Sequence, residues 1–109
     1  MAEGFSFAQK ANLDMATFVE AFRLNAGWSV LAEMKVPKML QRDFSPHFSL
    51  KHMDKDLRLA VERAAELGAN LPQTKDLKGL FSQAMKNGWG DDDFSVIYRT
   101  IAEASGLKA

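Results

Sequence analysis

The feature that most constrains the fold is one long amphipathic segment in the middle of the chain. Its apolar residues recur at the three- and four-residue spacing of an α-helix, at Met53, Leu57, Ala60, Val61 and Ala64. Such a stripe has to be buried against other elements, so the rest of the chain must supply a surface for it. The pattern predicts a helix from Phe48 or Ser49 to Leu67, followed by Gly68 in the left-handed conformation that ends many helices.

The remaining segments also follow the helical period, and none follows the two-residue period of a strand. Pro72 is typical of a first helical position, and Asp14 is a residue type that caps helix N-termini. Pro37 predicts an interruption, because proline lacks the amide proton that an interior helical residue donates. Asp91 or Asp92 is expected to cap the last helix. The sequence therefore predicts an all-α domain of five or six helices, over residues 5–11, 15–25, 28–34, 48–67 and 72–86 and from the 91–92 cap to about 106.

Composition narrows the partners that such a domain can have. Fourteen Lys and Arg balance fourteen Asp and Glu, which gives a formal net charge of zero. That balance argues against nucleic acid or an anionic membrane as the main partner, because both attract a cationic excess. The absence of cysteine excludes a disulfide framework and suits a reducing cytosol. No secretory leader or membrane-spanning run is visible, so we expect a cytoplasmic protein of a single domain.

Two neighbouring charged residues stand near the start of the predicted long helix. A lysine there opposes the helix macrodipole, so Lys55 is either a solvated side chain, which is the commoner case, or a cation kept for a ligand. Asp56 points about 100° away from it and is most simply an acid that favours the dipole. Phe48, judged by residue type alone, is expected in the core or as a hydrophobic staple at the start of the helix.

Metal-dependent and nucleophilic chemistry find no support in the residue pattern. His47 and His52 are five residues apart and do not share a helix face, and no third ligand has a suitable spacing, so no metal site is predicted. The run Asp91-Asp92-Asp93 lacks the alternating oxygen ligands of a calcium loop, and helix capping is its expected role. There is no Gly-rich phosphate loop and no Ser, Cys or His nucleophile arrangement. The residues alone therefore indicate a helical domain without a self-contained active site.

Several short motifs nevertheless follow one another along nearly the whole chain. They are Lys10-Ala11-Asn12-Leu13-Asp14, Arg42-Asp43-Phe44-Ser45-Pro46-His47-Phe48, Lys55-Asp56-Leu57-Arg58-Leu59-Ala60, Leu71-Pro72, and Gly88 followed by Asp93-Phe94-Ser95. In this order and spacing they resemble the C-terminal helical domain of the β-hydroxyacid dehydrogenase family. That family includes 3-hydroxyisobutyrate dehydrogenase, tartronate semialdehyde reductase and glyoxylate/succinic semialdehyde reductase. The segment from the phenylalanine to Lys-Asp-Leu is the most specific part of the match.

The resemblance implies the C-terminal-domain-like fold of 6-phosphogluconate dehydrogenase and a place in a larger enzyme. An N-terminal Rossmann domain would bind NAD or NADP, and a long interdomain helix would carry the catalytic lysine in a Lys-x-x-Asn-Asn setting. This chain contains neither the Gly-rich fingerprint nor that motif. Residues 1–109 are therefore expected to be one C-terminal domain for substrate contact and oligomerisation. It would contain no catalytic residue of its own, be inactive alone, and pair as a dimer or higher homo-oligomer.

The resemblance also implies roles for three residues. Lys55 would approach the cofactor near its nicotinamide end, and Phe48 would line the substrate pocket close to the reacting carbon. Asp56 would support the cleft, by orienting Lys55 and neighbouring groups. In the intact enzyme, the reaction would be reversible hydride transfer between the nicotinamide and a small hydroxy acid or its semialdehyde.

Two interpretations of the chain remain open at this point. In the first, it is a part of such an NAD(P)-dependent dehydrogenase. In the second, it is a free-standing helical module for oligomerisation or binding that has lost the dehydrogenase role. The joint presence of Phe48, Lys55 and Asp56 favours the first, because an interaction module has no reason to keep that set.

Overall fold

Helices make up the regular structure of the computed structural model, which describes residues 1–108. The elements are α1 (Ala2–Lys10), α2 (Met15–Arg23), α3 (Val30–Gln41), α4 (Leu50–Leu67), α5 (Pro72–Lys86), a 3-10 turn (Phe94–Val96) and α6 (Ile97–Ala104). The predicted all-α class with five or six helices is confirmed. None of these helices combines the length and the apolar character that crossing a bilayer requires. Close contacts divide the chain into two units, Ser45–Ile97 and the remainder.

Several helix ends follow directly from local chemistry. The Asp14 side chain caps α2 by accepting the Thr17 amide proton at 2.9 Å, as predicted. Pro72 is the first residue of α5, where its missing amide proton costs no helical bond. Gly68 ends α4 with φ of 68°, a left-handed conformation that a residue with a Cβ adopts only at a cost.

The course of α3 corrects the prediction for Pro37. We expected the proline to interrupt the chain after a short helix over 28–34, but it lies inside a continuous helix of twelve residues. The Ser29 hydroxyl starts this helix by accepting the Ala32 amide proton at 3.0 Å. Pro37 removes one hydrogen bond, to the Glu33 carbonyl, while core residues on both sides of it favour the helical path. Burial therefore outweighs the local preference of proline.

The unit formed by residues 1–44 and 98–108 has its own core. Its buried members are Phe5, Val19, Ala32, Val36, Met39, Tyr98 and Ala102. The Phe5 ring meets the Tyr98 ring edge-on with centroids 5.4 Å apart, and the Tyr98 hydroxyl donates to the Gln9 side chain. Each buried aromatic ring contributes a large apolar area to this core, and removing that area from water stabilises the unit.

In the second unit, α4 and α5 pack along each other and bury Leu50, Ala64, Phe81 and Ala84. The stripe predicted for α4 is largely confirmed, since Ala64 is buried and Met53, Leu57 and Val61 are half-buried, although Ala60 is exposed. The Lys78 ammonium meets the Asp54 carboxylate at 2.9 Å, and both side chains are mostly buried. This ion pair joins the polar edges of the two helices near the N-terminal end of α4.

Candidate functional site

Two backbone segments are joined by hydrogen bonds at the start of α4. The first is the Phe48 loop, residues 46–49, and the second is residues 90–94. The Phe94 amide donates to the Phe48 carbonyl at 2.9 Å, and the Leu50 amide donates to the Asp92 carbonyl at 2.7 Å. The first amides of α4 therefore find their acceptors in the second segment, and the Phe48 loop is held against it.

Asp93 is the residue at the centre of this arrangement. Its side chain is fully buried. One carboxylate oxygen accepts the backbone amides of His47 and Phe48, at 3.0 and 3.2 Å. The other accepts the amide and the hydroxyl of Ser95, at 3.0 and 2.6 Å, and so caps the 3-10 turn. Four donors converge on one buried carboxylate, which is how a charge of this kind is stabilised away from water.

The prediction that Asp91 or Asp92 caps the last helix is wrong. We expected Asp91 or Asp92 to cap the last helix, whereas Asp93 caps the 3-10 turn that leads into α6. All three acids are equally good caps by residue type. The motif Asp93-Phe94-Ser95 contained the available signal, because Asp93 and Ser95 have the spacing of a local side-chain to backbone bond. The contact with His47 and Phe48 could not be inferred from local sequence.

Phe48 is not a core residue, which corrects the expectation from its residue type alone. It remains 41% exposed. Its ring packs edge-on to Phe94 with centroids 6.3 Å apart and lies tilted at 5.8 Å from the His52 ring. The residue directly precedes the N-cap Ser49, whose hydroxyl bonds to His52 Nδ1 and leaves the helix end uncapped by a side chain. The aromatic ring is thus presented at the surface by a well-supported loop.

An open cavity of about 490 Å³ lies beside this ring. It is lined by Pro46, His47, Phe48, Ser49, Lys51, His52 and Asp91. Among these lining residues, the Lys51 ammonium meets the exposed Asp91 carboxylate at 2.6 Å. The hydrogen bond from Lys51, and then its positive charge, hold the pKa of Asp91 below the ordinary value. The cavity thus combines an aromatic wall with paired charges.

Lys55 and Asp56 lie one turn further along α4, and both are exposed. Lys55 is four residues after Lys51 and three after His52, which places the three side chains on one helix face. In the described part of the chain, Lys55 makes no ion pair or hydrogen bond. Asp56 projects from the next position around the helix. Phe48 and Lys55 are therefore at the same end of α4 and on its accessible surface.

The donor types at this surface suit an organic anion better than a metal ion. Among residues 1–108, no group of three His, Asp or Glu side chains is close enough to hold a metal. The lysine ammonium groups offer cationic donors, which match phosphate or carboxylate oxygens. The exposed ammonium of Lys55 has the charge and the accessibility that such an anionic group requires.

Comparison with known proteins identifies the family. A family profile described as "NAD-binding of NADP-dependent 3-hydroxyisobutyrate dehydrogenase" matches residues 1–101. The chain belongs to this 3-hydroxyisobutyrate dehydrogenase family. The predicted family is therefore confirmed, and with it the use of a nicotinamide cofactor at the level of the family.

Individual relatives agree with the family and also show how much of each protein the chain represents. It is 31% identical over 108 residues to glyoxylate/succinic semialdehyde reductase 2 of Arabidopsis thaliana, covering 99% of this chain and 30% of that protein. It is 34% identical over 98 residues to the cytokine-like nuclear factor N-PAC of Aedes aegypti, covering 90% of this chain and 18% of that protein. The chain thus spans less than a third of the length of these relatives.

A solved structure supports the fold. The crystal structure of 3-hydroxyisobutyrate dehydrogenase from Salmonella typhimurium superposes with a TM-score of 0.84 at 24% identity, over 90% of this chain and 34% of that one. At this identity, the similarity concerns the fold alone. It agrees with the all-α architecture that the sequence predicted.

Proposed function

We propose that the chain is the helical C-terminal domain of an NAD(P)-dependent hydroxy acid dehydrogenase and forms one wall of its active-site cleft. In this proposal Lys55 contacts the cofactor, Phe48 lines the substrate pocket and Asp56 supports the cleft. The main supporting observation is that Phe48 and Lys55 are exposed at the same end of α4, where Phe48 lines an open cavity. A Rossmann domain of the same enzyme is the proposed partner for this wall.

Each of the three side chains has a physical task in this proposal. The cofactor, when bound, would accept a hydride from a small hydroxy acid in its oxidised form, or donate one to the corresponding semialdehyde in its reduced form. The Lys55 ammonium complements the negative charge of the cofactor or of a substrate carboxylate and so fixes its position. The Phe48 ring covers the reacting region and keeps water from it. The Asp56 carboxylate, next to Lys55 on the helix, balances its charge and orients polar neighbours.

One pair of observations favours the second interpretation, a helical module for oligomerisation or binding. The relative N-PAC has a name that is not that of an oxidoreductase. Large apolar side chains are also exposed away from the site, with Phe7 at 76%, Val30 at 82% and Leu24 at 91%. Apolar surface of this kind is common at protein interfaces. In this alternative, the chain binds a protein surface and the Phe48 end of α4 has no affinity for a nicotinamide nucleotide.

A titration of the isotope-labelled chain with NADPH distinguishes the two. In this proposal, the Rossmann domain supplies most of the surface that binds the cofactor. We therefore expect this chain to bind NADPH only at about millimolar concentration. The proposal predicts shifts of backbone resonances that concentrate at Lys55, His52 and Phe48. Replacement of Lys55 by alanine should abolish most of these shifts. Lys75→Ala is the matched control, since Lys75 is an exposed lysine on the other long helix of the same unit.

The outcomes of this titration distinguish the cofactor contact from the oligomerisation module. Shifts at the start of α4 that disappear in Lys55→Ala and persist in Lys75→Ala support the cofactor contact. Shifts that are absent, or equal in both variants, overturn it. Concentration-dependent self-association in a chain that does not respond to NADPH would support the oligomerisation module.

A further inference from the structure

The carboxylate of Asp93 serves two different parts of the chain. Its Oδ2 accepts both donors of Ser95, two residues away, which is the local capping task. Its Oδ1 accepts the amides of His47 and Phe48, which precede it by 46 and 45 residues. Capping alone needs only one of these oxygens. The second oxygen is therefore available to fix the Phe48 loop.

We infer that Asp93 is the positioning residue of the candidate site: it sets the backbone of Phe48 and thereby the direction in which the aromatic ring enters the cavity. This inference rests on the proposed function, because Phe48 is the proposed wall of the substrate pocket. Asp93 itself is fully buried and does not line the cavity. It acts through Phe48.

The geometry around Phe48 explains how one carboxylate has this effect. The Phe48 amide donates to Asp93 Oδ1, and its carbonyl accepts from the Phe94 amide at 2.9 Å. With the backbone held on both sides, the ring can change position only by side-chain rotation. The rings of Phe94 and His52 flank it at centroid distances of 6.3 and 5.8 Å and restrict that rotation.

Removing the Oδ1 contacts releases two amides at once. His47 and Phe48 are both exposed, so the order of this part of the loop depends on its hydrogen bonds rather than on burial. Bonds to an ionised acceptor are stronger than those between neutral groups. Loss of the carboxylate should therefore free the Phe48 loop while α4 itself stays intact.

The variant Asp93→Ser tests this inference in the full chain. A serine hydroxyl can still cap the 3-10 turn, but it is too short to reach His47 and Phe48. We expect amide hydrogen exchange at His47 and Phe48 to accelerate by about tenfold or more, with loss of the Phe48–Phe94 ring contact in NMR spectra. Amides in the middle of α4 should keep their protection. Exchange that stays unchanged at both residues overturns the inference.

Two further variants separate positioning from a general structural effect. Asp92→Ser makes the same chemical change one residue earlier, where the backbone carbonyl and not the side chain bonds to Leu50. Ser95→Ala removes a donor from Oδ2 only. Both should leave the exchange of His47 and Phe48 close to that of the parent chain. Equal acceleration in all three variants would mean that the site simply loosens, and would contradict a specific role of Asp93.

The design also remains decisive if Asp93→Ser does not fold. In the parent chain, a scalar coupling between the Phe48 amide nitrogen and the Asp93 carboxyl carbon reports the hydrogen bond directly, and its absence would contradict the inference. The NADPH titration tests the proposed function, namely the contact between Lys55 and the cofactor, and not the positioning role of Asp93. If Asp93→Ser frees the loop but the parent chain does not respond to NADPH, positioning stands and the proposed function fails. If the parent chain responds and Asp93→Ser leaves the Phe48 loop unchanged, the reverse holds.

Discussion

Three consecutive aspartates show how position decides what a carboxylate does. Asp91 is exposed and pairs with Lys51, so it contributes to the surface of the cavity. Asp92 acts through its backbone carbonyl, which accepts the amide of Leu50. Asp93 is buried and uses both side-chain oxygens. A surface ion pair such as the first is worth little to stability, whereas a buried carboxylate with four donors is costly to remove.

A pH-dependent prediction concerns Asp14, the N-cap of α2. The hydroxyl of Thr17, and then its backbone amide, donate to the carboxylate and hold the pKa of Asp14 below its ordinary value of 3.8. Because the pKa is lower in the folded state, the ionised group stabilises the fold above the unfolded value, and this contribution is lost as the pH falls through the folded pKa. The free energy of unfolding should therefore drop on acidification, more in the parent chain than in Asp14→Asn.

Chemical unfolding of both proteins between about pH 6 and about pH 2.5 measures this difference. Asparagine also caps helices well but does not titrate in this range, so it is a matched control. The difference in unfolding free energy between the parent and Asp14→Asn should shrink towards low pH. A difference that is constant with pH would show that the Asp14 carboxylate does not contribute by ionisation.

Residues with a local task were predictable from sequence, and residues with a distant partner were not. Asp14 caps a helix through Thr17, three residues away, and the residue type indicated it. Asp93 has its decisive partners about 45 residues earlier in the chain. Its spacing to Ser95 favours it as a local cap, but nothing in the neighbouring sequence indicates the contact with His47 and Phe48. The prediction of Phe48 as a core residue was wrong for the same reason. The contacts that hold its aromatic ring at the surface come from Asp93 and Phe94, which are distant in sequence.

At the scale of elements, two glycines make a controlled comparison. Gly79 lies in the interior of α5, and Gly68 follows α4 with φ of 68°. A Cβ added at either position would meet no atom within 4 Å, so sterics with neighbours do not distinguish them. The backbone conformation does, because only glycine adopts the left-handed region without strain.

Opposite effects on stability are therefore expected from the same substitution. Gly79→Ala should raise the free energy of unfolding by about 1 kcal/mol, through the higher helix propensity of alanine. Gly68→Ala should lower it by about 1–2 kcal/mol, the cost of a left-handed alanine. Denaturant unfolding of the two variants beside the parent chain measures both. A Gly68→Ala variant as stable as the parent would mean that α4 does not end in the left-handed turn.

Helix boundaries show the same division between what local sequence predicts and what burial decides. The bounds of α5 and the end of α4 were predictable, because Pro72 and Gly68 act at their own positions. The length of α3 was not, because Pro37 is locally unfavourable and is tolerated through core residues such as Val36 and Met39. A proline inside a helix costs a few kcal/mol of stability. Burying large apolar side chains contributes a stabilising free energy of the same order.

At the scale of the whole molecule, the balance of charge limits how an anionic ligand can be recognised. Fourteen basic and fourteen acidic residues cancel, so no long-range attraction to a nucleotide is expected. Recognition must then be local, within about 8–10 Å of an unpaired cation at physiological salt. Lys55 has no partner within residues 1–108 and faces the same side of α4 as His52 and Lys51. The proposed cofactor contact therefore depends on one exposed side chain rather than on a basic surface.

The last prediction concerns catalysis by the chain on its own. Hydride transfer requires donor and acceptor carbons held about 3–3.5 Å apart, in a site from which water is excluded. The cavity of about 490 Å³ at the Phe48 loop is open to solvent, and the sequence has no Gly-rich dinucleotide fingerprint. Purified chain mixed with NADPH and either glyoxylate or succinic semialdehyde should therefore show no loss of NADPH absorbance above the buffer rate.

Arabidopsis glyoxylate/succinic semialdehyde reductase 2, a relative by sequence, serves as the positive control. Turnover that copurifies with the chain and falls in Lys55→Ala would show instead that this helical wall binds and orients both reactants without the Rossmann half, and would move Lys55 from a supporting contact to the centre of the reaction.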